Sequence, residues 1–414
     1  MLTTDLLLRR RMMMEGRSPL PPPDYRTVPL TFDILSDGNI IWTDWREEKQ
    51  IIEYSKNGGS WTSISAEEED GKAIIAVVTG DELRFRGTAW PGDPYDSNST
   101  FSSTCQFSAK GNPASLKYGD TLTGDEEIAE SCFSSLFSNC KGLISAENLA
   151  LPATTLAEYC YKGMFEGCTN LVLAPELPAT TLAGYCYNNM FSWCESLTSA
   201  PELPATTLSE YCYISMFGFC TSLTTAPELP ATTLANSCYW AMFESCSSLV
   251  TAPSILPATT LADYCYMMMF SSCSSLINAP QLPATTLTEH CYEGMFIECS
   301  SLTVAPELPA TTLANGCYMS MFFACSNLRV APVLPAETLC DYCYQEMFKN
   351  CSLINEIKCY AINNIVEQVY PVGTLFWVLG VAETGTFTKA ASAVWPEFSN
   401  EGSGIPTGWT VVEV

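Results

Sequence analysis

Apolar positions return in a fixed order every 26 residues from about residue 132 to residue 351. In one complete unit Leu171, Ala174 and Leu177 surround Pro175, and Pro178-Ala179-Thr180-Thr181 follows. Leu182, Cys186, Met190 and Cys194 then recur at a spacing of four, with Tyr187 and Phe191 beside them. The same Cys-Tyr, Met-Phe, Cys core starts again at Cys212, Cys238, Cys265, Cys291, Cys317 and Cys343. The first stretch predicts a short strand, interrupted at proline because proline has no N–H for a ladder. Pro-Ala-Thr-Thr predicts a turn, with threonine able to cap what comes next. The spacing of four predicts a one-sided helix of about two turns. A period of this length means a solenoid, in which each unit buries its apolar face against its neighbours. One extra residue in Ala252-Pro253-Ser254-Ile255-Leu256 predicts a bulge at a loop edge.

The pattern changes outside the repeats. Residues 25–120 alternate short β-rich runs with turn signals: 31–35, 40–42, 51–55, 60–64, 73–78 and 82–86. Asn57-Gly58-Gly59 predicts a hairpin turn, since positive φ is cheap there. Strands at this spacing predict a small β-sandwich. The acidic run Glu67–Asp70 lacks EF-hand spacing and reads as a solvated loop. An irregular first unit keeps Phe133, Leu136, Phe137 and Cys140 but carries Ser135 where later units have Met, as terminal units do. After Cys351 the pattern lapses, and 360–414 is expected to form closing strands. The predicted class is therefore α+β, with a β-sandwich-like domain over 25–120, a solenoid over 121–359 and a β-rich cap over 360–414.

Residues 1–24 stand apart. Leu6, Leu7 and Leu8 precede Arg9, Arg10 and Arg11, the reverse of a secretory signal, and no small-residue cleavage site follows. The segment reads as a short helix with a stiff Pro19–Pro23 spacer, either a frayed tail or a docking peptide for an assembly partner.

The repeat pattern, Leu171 to Pro178 followed by Leu182 and Cys186-Tyr187, Met190-Phe191 and Cys194, resembles the BspA-type leucine-rich repeats, with Met-Phe where Ala-Phe is usual. Stretches 30–33, 53–61, 80–87, 385–389 and 404–410 resemble segments that accompany such repeats in surface proteins of gut bacteria and in their phages. The resemblance covers a little over half of the chain. It implies binding or adhesion and supplies no catalytic residue. The opening Leu6–Arg11 is similar to that of some phage tail and virion proteins.

Net charge narrows the partners. The chain carries a formal −26 with only 19 Lys and Arg. A nucleic-acid groove needs clustered cations, so DNA and RNA are disfavoured. No apolar run is long enough to span a bilayer as a helix. Glu176, Glu202, Glu228 and Glu307 would stack in one column, broken by Ile255, Gln281 and Val333. Their mutual repulsion is only about 0.8 kcal/mol in bulk water, tolerable on a solvated face, although the column could also hold cations or a basic partner.

Among the 21 cysteines, all but Cys105, Cys340 and Cys359 occupy the paired repeat positions. Eight-residue spacing on an apolar stripe, with His290 the one histidine, argues against zinc. Reduced packing ladders and inter-coil disulfides both fit the spacing, with packing favoured because cysteine is a small apolar filler. No metal, cofactor or enzymatic activity is expected: G-x-S-x-G, H-E-x-x-H and a phosphate-binding glycine loop are all missing from the sequence. Specificity should lie where the repeats vary. Ile214, Trp240 and Met267 follow one another two residues after the first Cys of consecutive units, with Trp193 and Phe219 beside them. An apolar patch on adjacent coils suits a partner, a protein or a surface glycan, or else the N-terminal domain or a second copy in a homo-oligomer. The expected function is a binding or structural protein, foremost a phage virion or tail-appendage component that contacts a host surface. The alternative is a bacterial adhesin, extracellular or cell-surface, for host protein or glycan.

Overall fold

The computed structural model describes residues 24–46, 49–66, 71–92, 99–365, 373–396 and 403–414. The expected strands near the N-terminus form, and they divide into two sheets. One has six strands, from β4 (Thr62–Ile64) through β3 (Ile52–Lys56), β6 (Glu82–Gly87), β1 (Thr31–Ile34) and β8 (Phe107–Gly111) to β9 (Leu143–Leu149). The other sets β2 (Gly38–Asp44) between β5 (Lys72–Val77) and β7 (Ser99–Ser103). Alternation decides which side chains face inward: Phe32, Trp42, Phe85, Phe101 and Phe107 are fully buried. Phe101 of the small sheet meets Phe32 edge-on at 5.0 Å and Phe85 at 4.9 Å, which closes one sheet over the other. At the β3–β4 hairpin, Asn57 (φ 53°) and Gly58 (φ 70°) both adopt the left-handed conformation that this turn requires.

Beyond β9 successive repeats lie side by side. The stretch with apolar residues every fourth position is not helical. The one α-helix among the described residues is α1 (Ser115–Tyr118), before the repeats. Each repeat instead runs as a chain of four-residue turns whose first residue has positive φ: Tyr185 at 55°, Asn189 at 54° and Trp193 at 62° in one coil. Alternate N–H groups close a turn onto the carbonyl three residues back, as from Cys186 to Ala183 and from Met190 to Tyr187. The N–H groups between them donate to the next coil: Tyr185 to Glu210, Tyr187 to Cys212, Asn189 to Ile214, Phe191 to Met216 and Trp193 to Gly218. A four-residue turn and an α-helix both return a side chain to one face every fourth residue, so the apolar spacing could not separate them. The predicted α content of the repeats is overturned, and the chain is strand- and turn-rich.

Stacking at one coil per repeat aligns identical side chains. Tyr161, Tyr187, Tyr213 and Tyr239 form a buried column with rings 5.6–5.8 Å apart. Phe165, Phe191, Phe217 and Phe243 form a second column at 5.3–5.5 Å. The extra residue near Ser254 falls at the strand-side corner, where its hydroxyl reaches Glu228 at 3.1 Å and the turn ribbon is left undisturbed.

Both ends of the stack merge with their flanks. β9 belongs to the first repeat yet pairs in parallel with β8, and Phe137 stacks on Phe101 at 5.9 Å and on Phe165 at 5.6 Å. At the other end the ladder runs past Cys359: Tyr344 donates to Gly373, Glu346 to Leu375, Phe348 to Trp377 and Asn350 to Leu379. Trp377 occupies the core there, with Tyr344 and Phe348 at 6.3 and 6.4 Å. Strands β10 (Val333–Leu334), β11 (Glu356–Cys359), β12 (Thr386–Lys389) and β13 (Thr410–Glu413) continue in parallel order. Residues 373–380 thus repeat the coil geometry without the repeat's Cys-Tyr and Met-Phe pairs, because backbone bonds carry the register.

Candidate binding face

The turn ribbon sorts side chains by position. In each four-residue turn the second and third residues point inward, as Cys186-Tyr187 and Met190-Phe191 do at 1% exposure or less. The first and fourth lie nearer the surface, where large side chains such as Trp193 and Trp240 are exposed while small ones such as Ser192, Ser237 and Ala241 stay buried. Left-handed backbone costs a non-glycine residue about 1–2 kcal/mol, yet most of these first positions are not glycine. The inter-coil bond donated by each, worth about 0.5–1.5 kcal/mol net, offsets much of that strain. Side chains at these positions lean toward the following coil. A Cβ on Gly316 would fall 2.4 Å from the His290 ring, one on Gly167 2.5 Å from Asn139 Oδ1, and one on Gly380 2.9 Å from Asn350 Oδ1.

That lean builds aromatic ladders. Trp193 lies parallel to Phe219 with centroids 3.9 Å apart. Tyr159, Tyr185 and Tyr211 stack at 4.9 and 4.6 Å, and Tyr264 stacks on His290 at 5.0 Å. The sequence pattern singled out the first pair but not the tyrosines. The available signal was the return of tyrosine just before the first cysteine of most units. His290 continues their ladder, and its Nδ1 lies 2.6 Å from Glu293 Oε2. Burial raises the Glu293 carboxyl above its usual range, with the histidine hydrogen bond opposing the shift.

Of the five residues chosen for partner contact, Trp193 (45%) and Trp240 (36%) are exposed, while Ile214, Phe219 and Met267 are half-buried. The coils bring Ile214, Trp240 and Met267 into consecutive register: Ser215 donates to the Trp240 carbonyl and Ala241 to that of Met267. The docking residues Leu6, Leu7, Leu8, Arg9, Arg10 and Arg11 lie outside the described residues, as does the acidic run 67–70. Glu176, Glu202, Glu228 and Glu307 are exposed. Among the described residues no group of three or more His, Cys, Asp and Glu side chains converges as metal ligands, and no helix is long and apolar enough to cross a membrane.

The cysteines are unpaired in this structure. From Cys168 onward the second cysteine of each unit donates its thiol to a phenylalanine carbonyl one coil back, as from Cys194 to Phe165 (3.2 Å) and from Cys220 to Phe191 (3.1 Å). Burial pushes the thiols up, to about 12 for Cys186, Cys238 and Cys246. They are packing groups with a weak donor, and poor nucleophiles.

No protein-family model and no curated protein matches this chain. Among solved structures it is similar to a leucine-rich repeat protein from Bacteroides ovatus, at 17% identity over 75% of this chain and 86% of that one, with a TM-score of 0.33. It is also similar to a leucine-rich cell surface protein from Faecalibacterium prausnitzii, at 14% identity over 68% of this chain and 75% of that one, again with a TM-score of 0.33. Both neighbours are leucine-rich repeat proteins. The overlap is loose, so the architecture rests on the ladders described above.

Proposed function

We propose that the stacked coils form a leucine-rich-repeat solenoid and that the chain is a non-catalytic binding protein acting at a cell surface. One observation supports this most: buried columns stay constant from coil to coil, while the exposed columns vary and gather Trp193, Phe219 and Trp240 on adjacent coils. A stack needs its interior repeated to keep register, whereas nothing in its stability requires exposed tryptophan. The partner is a protein or a surface glycan held by these central coils. The virion reading rests on the resemblance of the flanking stretches and of Leu6–Arg11 to phage proteins and draws no support from the fold.

The test uses the purified chain on arrays of extracellular proteins and of glycans. Trp240→Ala and Trp193→Ala should each leave the melting temperature within about 2 °C of wild type, as surface changes do. Each should weaken binding about tenfold or more if the residue is an anchor. Unchanged affinity in both variants would remove the face from function. Brief protease treatment of intact cells that make the native chain should digest it; full protection would contradict the surface location.

A further inference from the structure

The surface tyrosine ladder is broken at one place. Tyrosine occupies the position at 159, 185, 211 and 264, but Ser237 stands between Tyr211 and Tyr264. Ladder rings elsewhere are 4.6–5.0 Å apart, so one missing ring leaves Tyr211 and Tyr264 separated by about two coil spacings, near 10 Å. Exposure follows the gap. Tyr264 is 37% exposed, and so is Tyr342, whose preceding coil carries Gly316 at the same position. Ser237 itself is buried, as expected if Tyr211 leans over it in the way His290 leans over Gly316. At Gly316 the facing ring is an imidazole tied to Glu293. At Ser237 both walls are tyrosines.

Trp240 is the exposed fourth residue of the turn that Ser237 begins, and its backbone N–H closes that turn on the Ser237 carbonyl at 3.3 Å. The rim is polar and acidic. Asn236 and Glu210 are exposed, and the Asp263 carbonyl accepts the Ser237 N–H at 3.0 Å. One Asp263 oxygen, Oδ1, accepts the Glu289 N–H at 3.1 Å.

We propose that the Ser237 gap is a binding slot for the pyranose ring of a neutral glycan, held between Tyr211 and Tyr264 with Trp240 at its side. A pyranose chair carries C–H bonds on both faces and suits two facing aromatic walls. Its equatorial hydroxyls point outward to Glu210, Asn236 and Asp263, which accept hydrogen bonds from them. A phenyl ring would satisfy the walls and leave the rim groups without partners. An anionic sugar would meet two carboxylates on a chain of formal charge −26. The inference deepens the binding-protein reading and rests on it.

Ser237→Tyr supplies the missing ring with a residue that neighbouring coils already hold there, so it fills the slot without foreign geometry. The probe is an array of neutral oligosaccharides ending in glucose, galactose, mannose or N-acetylglucosamine, with sialylated and sulfated glycans alongside. The wild-type chain should bind one or more of the neutral glycans. Ser237→Tyr, with circular dichroism unchanged, should weaken that binding about tenfold or more. Val330→Ala, at an exposed position on the strand side, should bind as wild type. If Ser237→Tyr fails to fold, Tyr264→Ala removes one wall and should weaken the same glycan. Neutral-glycan binding that survives both substitutions overturns the slot and leaves the binding-protein reading in place. Preference for anionic glycans overturns the glycan class. A wild-type chain that binds neither glycan nor protein on any array removes both readings.

Discussion

The left-handed residue at the head of each turn shows where sequence reading loses information. Tyr185, Asn189 and Trp193 have positive φ, and two of the three belong to types that rarely adopt it. Nothing in the identity of Tyr185 or Trp193 announces a turn. Gly163, Gly167, Gly294 and Gly316, with Asn139, Asn189 and Asn350, fall at equivalent positions and were the local hints. The strain makes a prediction in both directions. Ala241 has φ 52° with its side chain already minimal, so Ala241→Gly should stabilise the chain by about 0.5–1 kcal/mol, the relieved strain exceeding the added unfolded-state entropy. Gly316→Ala should destabilise it by about 1–3 kcal/mol, because φ is 60° and the new Cβ would meet the His290 ring. Urea denaturation of both variants decides the matter; equal midpoints would mean that the turn conformation is unstrained. The apolar contacts at Trp193 and Phe219 were legible because large apolar residues at variable positions stand out. Their face-to-face stacking was not, since it depends on the lean between coils.

At the level of the coil, the strands near the N-terminus were readable, because alternation and the Asn57-Gly58-Gly59 turn each have one structural meaning. The repeat's second half had two, and the choice fell to bonds between coils that no single unit reveals. Those bonds enclose two columns of cysteine, and their burial carries a pH dependence. In the unfolded chain the thiols ionise near their ordinary value of about 8.5. In the fold Cys186, Cys238, Cys246 and Cys351 are held protonated up to about 12. Between these values the unfolded state binds fewer protons than the native one, so stability falls as pH rises. Stability should be level from neutrality to about pH 8 and then fall steeply toward pH 11, followed by urea midpoints at each pH under reducing conditions. A flat profile would show the thiols to be solvated. Under native conditions at pH 8, a thiol reagent should label few of the 21 cysteines, and in denaturant most of them.

Across the whole molecule the cores run together. Phe137 joins the N-terminal sheets to the stack, and Trp377 joins the stack to β12 through Phe387 at 6.1 Å. Ending the chain after Cys359 would uncover Tyr344 and Phe348 and leave the N–H groups of Tyr344, Glu346, Phe348 and Asn350 without their acceptors. The freed N–H groups would bond to water, so the loss is chiefly the apolar burial of Tyr344 and Phe348, at about 25 cal/mol per Å² uncovered. The truncated chain should melt at least several degrees lower and associate on heating, as scanning calorimetry and light scattering would show. An unchanged melting temperature would mean that residues 360–414 are a separate cap.

The turn ribbon also gives the molecule an electrical direction. Every inter-coil bond on it points the same way, from an N–H in one coil to a carbonyl in the next. Peptide dipoles of about 3.5 D therefore add along the stack, as they do along an α-helix. The sign is opposite. Helical N–H groups point toward the N-terminus, whereas these point toward the C-terminus, so the positive pole lies at the C-terminal end and the negative pole faces the N-terminal sheets. A strongly acidic stack of this kind is electrically asymmetric before any side chain is counted, and would orient itself as it approaches a charged surface.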